Sequence, residues 1–312
     1  MPKLSVRIPT LNNYPGLVRA LKSILDQEFQ DLDIVIVDNN SDDGSWPKIQ
    51  SLIEQNPTVK AIQNPKRGMA ENWNHCVESA IGECVLIFHT DDEMLPGMLE
   101  KAMFFLENNP SAGLVHTDCY DISDYGKVRL RKTQSKPMLK AGTEALTKIA
   151  TDDNLACSSV IVKKQCYTDL GLFLPNNPSP DAEMWARIVS HYDMGHVSEP
   201  LVNVYGHLDS YGRAALSKSS PSEIENQWSM IGDKIISYFP TVEREIAIEK
   251  SKISMFNGLN AAGILAWQQH RWQRGREFMF QARKYTSFQN WVTNYIKNIL
   301  RLILYTIKHP TC

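Results

Sequence analysis

The chain has no cysteine pair at metal or redox spacing, no glycine-rich, lysine-bearing loop behind its first apolar run, and no uninterrupted apolar stretch of membrane-spanning length. Its six cysteines (Cys76, Cys84, Cys119, Cys157, Cys166, Cys312) include no CxxC. That excludes zinc ribbons and dithiol redox centres. Several lie inside apolar runs, where a thiol packs as a small hydrophobe. With no disulfide framework, a reducing cytosol is the expected compartment. The strand-like LSVRI begins at residue 4, so no signal peptide is expected ahead of it. The segment after the first apolar run is RIPTLNN rather than a glycine-rich loop, which argues against a nucleotidyltransferase. Charge is also scarce. A net −2 over 312 residues carries no nucleic-acid signature, and no nucleic-acid partner is expected. The balance is uneven, however. From His270 onward eight Lys/Arg face Glu277 alone, so this tail is +7 and residues 1–269 are −9.

What is present is alternation. LSVRI (4–8), DIVIV (33–37), VKAI (59–62), CVLIF (84–88) and GLVH (113–116) read as strands. Helical patterns separate them over 17–25, 46–53, 69–80 and 96–106. Strands spaced in this way predict βαβ units and an α/β fold with a mostly parallel sheet flanked by helices. Residues 121–142 read as a loop or irregular hairpin, 155–162 and 201–205 as strands, and 181–190 as a helix. Residues 206–222, rich in Gly, Ser and Pro, read as a loop. From residue 223 the pattern is helical, which predicts a catalytic domain over 1–222 and a C-terminal helical region over 223–312.

Acids stand at the ends of these strands. Asp38 closes IVIV, and Asp91-Asp92 follow CVLIF. Strand C-termini face the crevice where open α/β sheets bind ligands. Adjacent carboxylates there are tolerable when a cation neutralises them or when both are solvated. Mg²⁺ and Mn²⁺ take one or two carboxylates plus diphosphate oxygens. His89, two residues before Asp91, would share its face if the strand continued. Asp38 could hold a base or cap a turn. Pro9, Thr10 and Asn12 form a turn whose amides could face a base or phosphate. Arg67, just before a helix, could pair with a nucleotide or simply be solvated. Asp181 could be a general base or an N-cap.

Six segments, taken in order, resemble the inverting GT-A glycosyltransferases of family 2: IPTLNN, IVIVDNNSDDGS, NPKRGMAENWNHCVESAIGE, FHTDDEMLP, PDAEMWARI and NVYGHLDS. They cover residues 4 to about 210. The resemblance implies the GT-A fold, a nucleotide-sugar donor (a UDP-sugar first), Mn²⁺ or Mg²⁺, and a glycan or lipid-linked acceptor. It further implies that Asp38 holds the base, Asp91 the metal, Asp181 serves as catalytic base and His207 is a further metal ligand. Two positions depart from the pattern. His89 stands where the first acid of the DxD motif belongs, and Pro180 replaces the acid before the catalytic base. These departures leave open a nucleotide-sugar-binding protein with lost catalysis.

In the tail, WVTNYIKNILRLILYTIK (291–308) carries Asn294, Lys297, Asn298, Arg301 and Lys308 at helical spacing. A basic amphipathic helix of this kind suits an anionic membrane surface. It would make the protein peripheral on the inner face of the membrane. The alternative is a helix packed on the rest of the chain.

Overall fold

The computed structural model describes residues 2–123, 126, 128–131, 138–140, 142–151, 155–206, 218–268, 271–287 and 289–298. The chain divides into two compact units, Met1–Ile149 with Asp153–His207, and Ala150–Asp152 with Leu208–Cys312.

The first unit is built on one mixed sheet. Its strands are β1 (Leu4–Thr10), β2 (Leu32–Asp38), β3 (Val59–Gln63), β4 (Cys84–Ile87), β5 (Glu93–Met94), β6 (Ala112–Ser123), β7 (Val128–Arg131), β8 (Met138–Lys140), β9 (Val160–Lys163) and β10 (Asp193–Gly206). They lie in the order β3-β2-β1-β4-β9-β6-β10-β5, with β7 paired to β6 and β8 to β10. β3, β2, β1 and β4 are parallel to one another, and β6 pairs parallel with β10. β9 runs against both β4 and β6, and β5 against β10. Along the main order, only β9 and β5 therefore oppose the common direction, so the sheet is mostly parallel, as expected. Register aligns Thr10 with Asp38 and Asp38 with Gln63, so the carboxyl ends of β1, β2 and β3 finish level.

Strand alternation sends Leu4, Val6, Ile8, Ile34, Ile36 and Leu86 to one face. There they pack on Leu17, Leu21 and Ile24 of α1 (Tyr14–Leu25) and on Met98, Leu99 and Met103 of α4 (Met98–Asn108). α2 (Ser45–Glu54) adds Ile49 to this core. α3 (Met69–Glu78) packs against β1 and β2, where Arg7, mid-strand and fully enclosed, reaches its C-terminus. The guanidinium donates to the Ser79 carbonyl at 2.7 Å and pairs with Asp33 at 2.7 Å. A cation at a helix C-terminus is favoured by the peptide dipoles.

α5 (Gly142–Thr151), α6 (Lys164–Leu170) and α7 (Pro180–Val189) complete this part of the chain. The strand expected over 155–162 is shorter than predicted. Cys157–Ser159 make a 3-10 turn first, closed by Ser159 N–H on the Ala156 carbonyl at 2.8 Å. The strand expected over 201–205 is longer and starts at Asp193, because β6 offers a parallel partner to the polar stretch ahead of it. Pro200 has no N–H to give, and the β6–β10 ladder shifts register on either side of it. α7 is fixed by a buried pair. Arg187 donates to both Glu183 oxygens, at 3.1 and 2.7 Å, and to the carbonyls of Leu170 and Leu172 at 2.7 and 2.9 Å.

The second unit is helical: α8 (Pro221–Ser237), α9 (Arg244–Gln268), α10 (Trp272–Ala282) and helical residues 289–298. A reciprocal Ser220–Glu223 capping box starts α8. Ile224, Met255, Leu259 and Phe278 form its core. The loop expected over 206–222 lies mostly outside the described residues, as do residues 299–312 of the tail. The described part of that tail differs from a solvent-facing polar stripe at Asn298. This residue is buried and donates to Asn260 at 3.4 Å, while Trp291 donates to the Met279 carbonyl at 2.7 Å. A polar side chain on that face is accommodated because another amide meets it. Among the described residues, no helix is long and apolar enough to cross a membrane.

Arg187→Ala removes the guanidinium that pairs with the fully enclosed Glu183 carboxylate. Removing one member of a buried pair costs about 3–5 kcal/mol. Urea denaturation followed by circular dichroism should show a loss of that size, and a change under 1 kcal/mol, roughly the value of an exposed pair, would mean the pair is effectively solvated.

Candidate active site

The acids after β4 gather in a turn rather than on a continuing strand. Asp92 N–H bonds back to the His89 carbonyl at 3.2 Å, and this curl brings three side chains together. A ring nitrogen of His89 and one oxygen each of Asp91 and Asp92 lie within 4.8 Å of one another. The three residues differ in environment. Asp92 is 4% exposed and accepts from Ser158 Oγ and from Tyr205 N–H at 3.3 Å. Burial, followed by the charge of Asp91, pushes its carboxyl up to about 6. The Asp91 carboxylate has no hydrogen-bond or ionic partner among the described residues, although its backbone carbonyl accepts from Arg19 at 2.7 Å. Arg19 also lies over the Tyr205 ring, 4.3 Å from its centroid. His89 Nε2 is enclosed and has no partner among the described residues.

This arrangement suits a divalent cation. Two carboxylates side by side, one of them desolvated, gain most from a positive charge, and an orphaned imidazole nitrogen gains a bond. Ser158 serves as a bracket by accepting from His89 N–H at 3.0 Å while donating to Asp92. His207, the expected further metal ligand, lies outside the described residues.

On the other side of β1, the loops after β1, β2 and β3 are tied together. Asp38 is buried, and both its oxygens are engaged. Ser41 donates through N–H at 3.1 Å and through its hydroxyl, and Gln63 donates at 3.1 Å. Asn12, at φ +53°, exchanges hydrogen bonds with Asp42 at 2.7 and 3.0 Å and donates N–H to Ser41 Oγ at 2.9 Å. Arg67 pairs with Asp42 at 3.0 Å, and this bond, followed by that of Asn12, holds the Asp42 carboxyl below its usual range. Thr10 Oγ1 is buried with no partner among the described residues, and Pro9 is half-buried opposite Val37. Asn39 accepts from Gly68 N–H at 3.0 Å and from Asn64 at 3.2 Å, joining two of these loops from within. The start of α3 carries its own anion. Glu71 sits in the first turn, its carboxyl lowered by backbone N–H and by Lys66.

Asp181 is the second residue of α7, after Pro180 at the first helical position, and accepts from Ser179 Oγ at 3.1 Å. A ladder of rings links this helix to the acid turn. Trp185 meets Phe173 edge-on at 6.2 Å, Phe173 meets Trp73 edge-on at 5.3 Å, and Trp73 stacks on His89 at 5.2 Å. Asn74 grips Phe173 by both its N–H and its carbonyl, each at 2.9 Å. The buried Cys157 thiol, raised first by desolvation, is raised further by Asp181 and then Asp92, so both carboxylates bear on one point. Sequence reasoning singled out Asp91, Asp92 and Asp181 here but not Ser158, Asn39 or Asn64.

The model of the family described as Glycosyl transferase family 2 matches residues 5–164. The chain is 41% identical over 105 residues, 33% of its own length, to the GalNAc(5)-diNAcBac-PP-undecaprenol beta-1,3-glucosyltransferase of Campylobacter jejuni. The match spans 34% of that relative's length, and 42% and 36% of two others'. In fold the chain resembles S. aureus TarS 1–349 in complex with UDP-GlcNAc, with a TM-score of 0.68 at 17% identity over 90% of this chain and 81% of that one. It also resembles the mannosyltransferase PcManGT of Pyrobaculum calidifontis in complex with GDP-Man and Mn²⁺, with a TM-score of 0.60 at 18% identity over 96% and 81%. With its α/β sheet, its acids at the strand ends and a family match over more than half its length, the chain belongs to glycosyl transferase family 2 and has the GT-A fold.

Proposed function

We propose that this protein is an inverting, metal-dependent glycosyltransferase that moves a sugar from a nucleotide-sugar donor to a hydroxyl of a glycan or lipid-linked acceptor. The observation that carries this reading is the convergence of Asp91, Asp92 and His89 in one turn, with Asp181 on the helix tied to that turn through stacked rings. The catalytic domain is taken as 1–222 and the helical region as 223–312. A UDP-sugar is the favoured donor, in keeping with the UDP-GlcNAc complex of TarS. The C. jejuni relative's name, with its PP-undecaprenol-linked glycan, favours a lipid-linked acceptor, and glycoconjugate or surface polysaccharide synthesis belongs to this proposal. Membrane contact through 291–308 and a cytoplasmic, peripheral location belong to the same proposal, on sequence grounds alone.

The reaction needs one base. Asp181 takes the proton of the acceptor hydroxyl as its oxygen attacks the anomeric carbon from the face opposite the diphosphate. The C–O bond to the diphosphate breaks, its electron pair leaves with the diphosphate, and the configuration inverts. A bound Mn²⁺ or Mg²⁺ supplies charge stabilisation for the departing diphosphate. Asp91 and Asp92 would hold that cation, and a nitrogen ligand would come from His89 or from His207, the residue that the resemblance implies. Asp38 holds the turn that shapes the base pocket, with Pro9, Thr10, Asn12 and Arg67 around it. The Pro180 substitution favours one second reading, a nucleotide-sugar-binding protein without transfer activity.

Asp181→Asn keeps the shape of the side chain and removes its basicity. Donor binding should persist while transfer falls by ~10²–10⁴. Assays with labelled UDP-sugars read this directly, and activity within a factor of two of wild type would remove Asp181 from the mechanism. Loss of transfer in the wild type itself, with UDP still bound, would support the second reading.

Asp38→Ala should weaken UDP binding and relax base preference, because Ser41 and Gln63 lose the acceptor that sets their positions. Competition among UDP, GDP and dTDP in a thermal-shift panel tests this. If the order of preference stays the same, Asp38 serves the turn alone.

A further inference from the structure

His89 is the residue in this site whose chemistry a standard pair of acids does not explain. Its Nε2 is enclosed and finds no partner among the described residues, a state that costs free energy in any protein interior. The ring cannot readily swing out to water. Trp73 stacks on it at an interplanar angle of 25°, and Phe173, gripped by Asn74, backs Trp73. The backbone of His89 is pinned by Ser158. Each constraint comes from a different element, and together they hold an imidazole against two carboxylates.

We propose that His89 is a metal ligand, so that this protein holds its cation through one imidazole nitrogen and the Asp91 and Asp92 carboxylates and favours Mn²⁺-like borderline ions over Mg²⁺. The proposal rests on the reading that a cation is bound here, and it adds the class of cation. Mg²⁺ takes hard oxygen ligands and gives up its waters reluctantly, whereas imidazole suits the first-row transition ions. Two ligands on opposite sides of such an ion lie about 4.2 Å apart, so a 4.8 Å spread closes by a small adjustment. Asp91, unpartnered, is free to make it, while Ser158 and Tyr205 N–H hold Asp92 in place.

The test uses the full chain with UDP and Mn²⁺. Pulsed electron paramagnetic resonance should detect a ¹⁴N nucleus coupled to Mn²⁺ in the wild type and in His207→Asn, and should lose it in His89→Asp. Calorimetry should show the Mn²⁺/Mg²⁺ affinity ratio falling by roughly tenfold or more in His89→Asp, which restores an all-oxygen set. Mn²⁺ bound without nitrogen coupling in the wild type would overturn the proposal and leave the metal-dependent mechanism standing. Coupling that survives His89→Asp and disappears in His207→Asn would overturn it in favour of His207. No Mn²⁺ binding to the wild type with UDP present would reject the cation reading itself, and the proposal with it. Should His89→Asp fail to fold, the wild-type and His207→Asn spectra still decide, since coupling kept in both supports His89 and coupling lost in the second refutes it.

Discussion

A desolvated carboxylate beside a second carboxylate is the constraint around which this site is organised. Asp92 is almost wholly buried and Asp91 is its neighbour in sequence, and burial together with that charge raises the Asp92 carboxyl to about 6. The protein offers partial compensation through Ser158 and the Tyr205 amide. Neither carries a positive charge. Arg19 goes to the Asp91 carbonyl and the Tyr205 ring rather than to a carboxylate. A site meant only to be stable would put a cationic side chain against these acids. Among the described residues, no cationic side chain pairs with either carboxylate.

The rest of the first unit can be understood as support for that turn. β4 delivers Phe88 into the core and releases His89 beyond its carboxyl end, between β1 and β9. β10, shifted in register around Pro200, brings the Tyr205 amide to Asp92. The 3-10 turn ahead of β9 aims Ser158 at the same carboxylate. α7 is locked by Glu183 and Arg187, and the ring ladder from Trp185 to His89 makes a stiff spacer between the proposed base and the proposed cation. Packed interiors resist compression, so a contact chain of this kind sets a separation.

How far this could be read in the sequence depends on the range of each interaction. Strands β1 to β4 and Asp38, Asp91 and Asp92 at their ends were legible because a buried parallel strand is a short apolar run and an acid closing it is conspicuous. His89 and Asp91 were expected to share a face through strand alternation, yet a turn brings them together. Ser158 gave no signal, since its bond to Asp92 spans 66 residues and depends on a turn within a stretch that resembles a strand. Asn39 and Asn64 were invisible for the same reason, being 25 residues apart. Trp73 fits helical core spacing and is indeed buried, but spacing cannot show that one of its faces covers a histidine. Asn298 had the spacing of a polar face and is buried because Asn260, 38 residues earlier, meets it.

The two sides of the site differ in how fully their polar groups are satisfied. On the proposed donor-base side, Asp38, Asp42, Asn12, Arg67, Asn39 and Asn64 form a nearly closed set of hydrogen bonds, while Thr10 Oγ1 has no partner among the described residues. On the proposed reaction side, the Asp91 carboxylate and His89 Nε2 are left without partners among the described residues. Closed networks hold backbone shape at little ongoing cost, whereas open groups raise the free energy of the free protein and lower it on binding. Under the proposed reading, a rigid cradle for the donor next to unsatisfied groups where charge would develop is the division of labour that preorganised transition-state stabilisation calls for. Substitutions on the cradle side should therefore act mainly through donor affinity and loop order, and those at Asp91, His89 and Asp181 through the chemical step and the cation it needs.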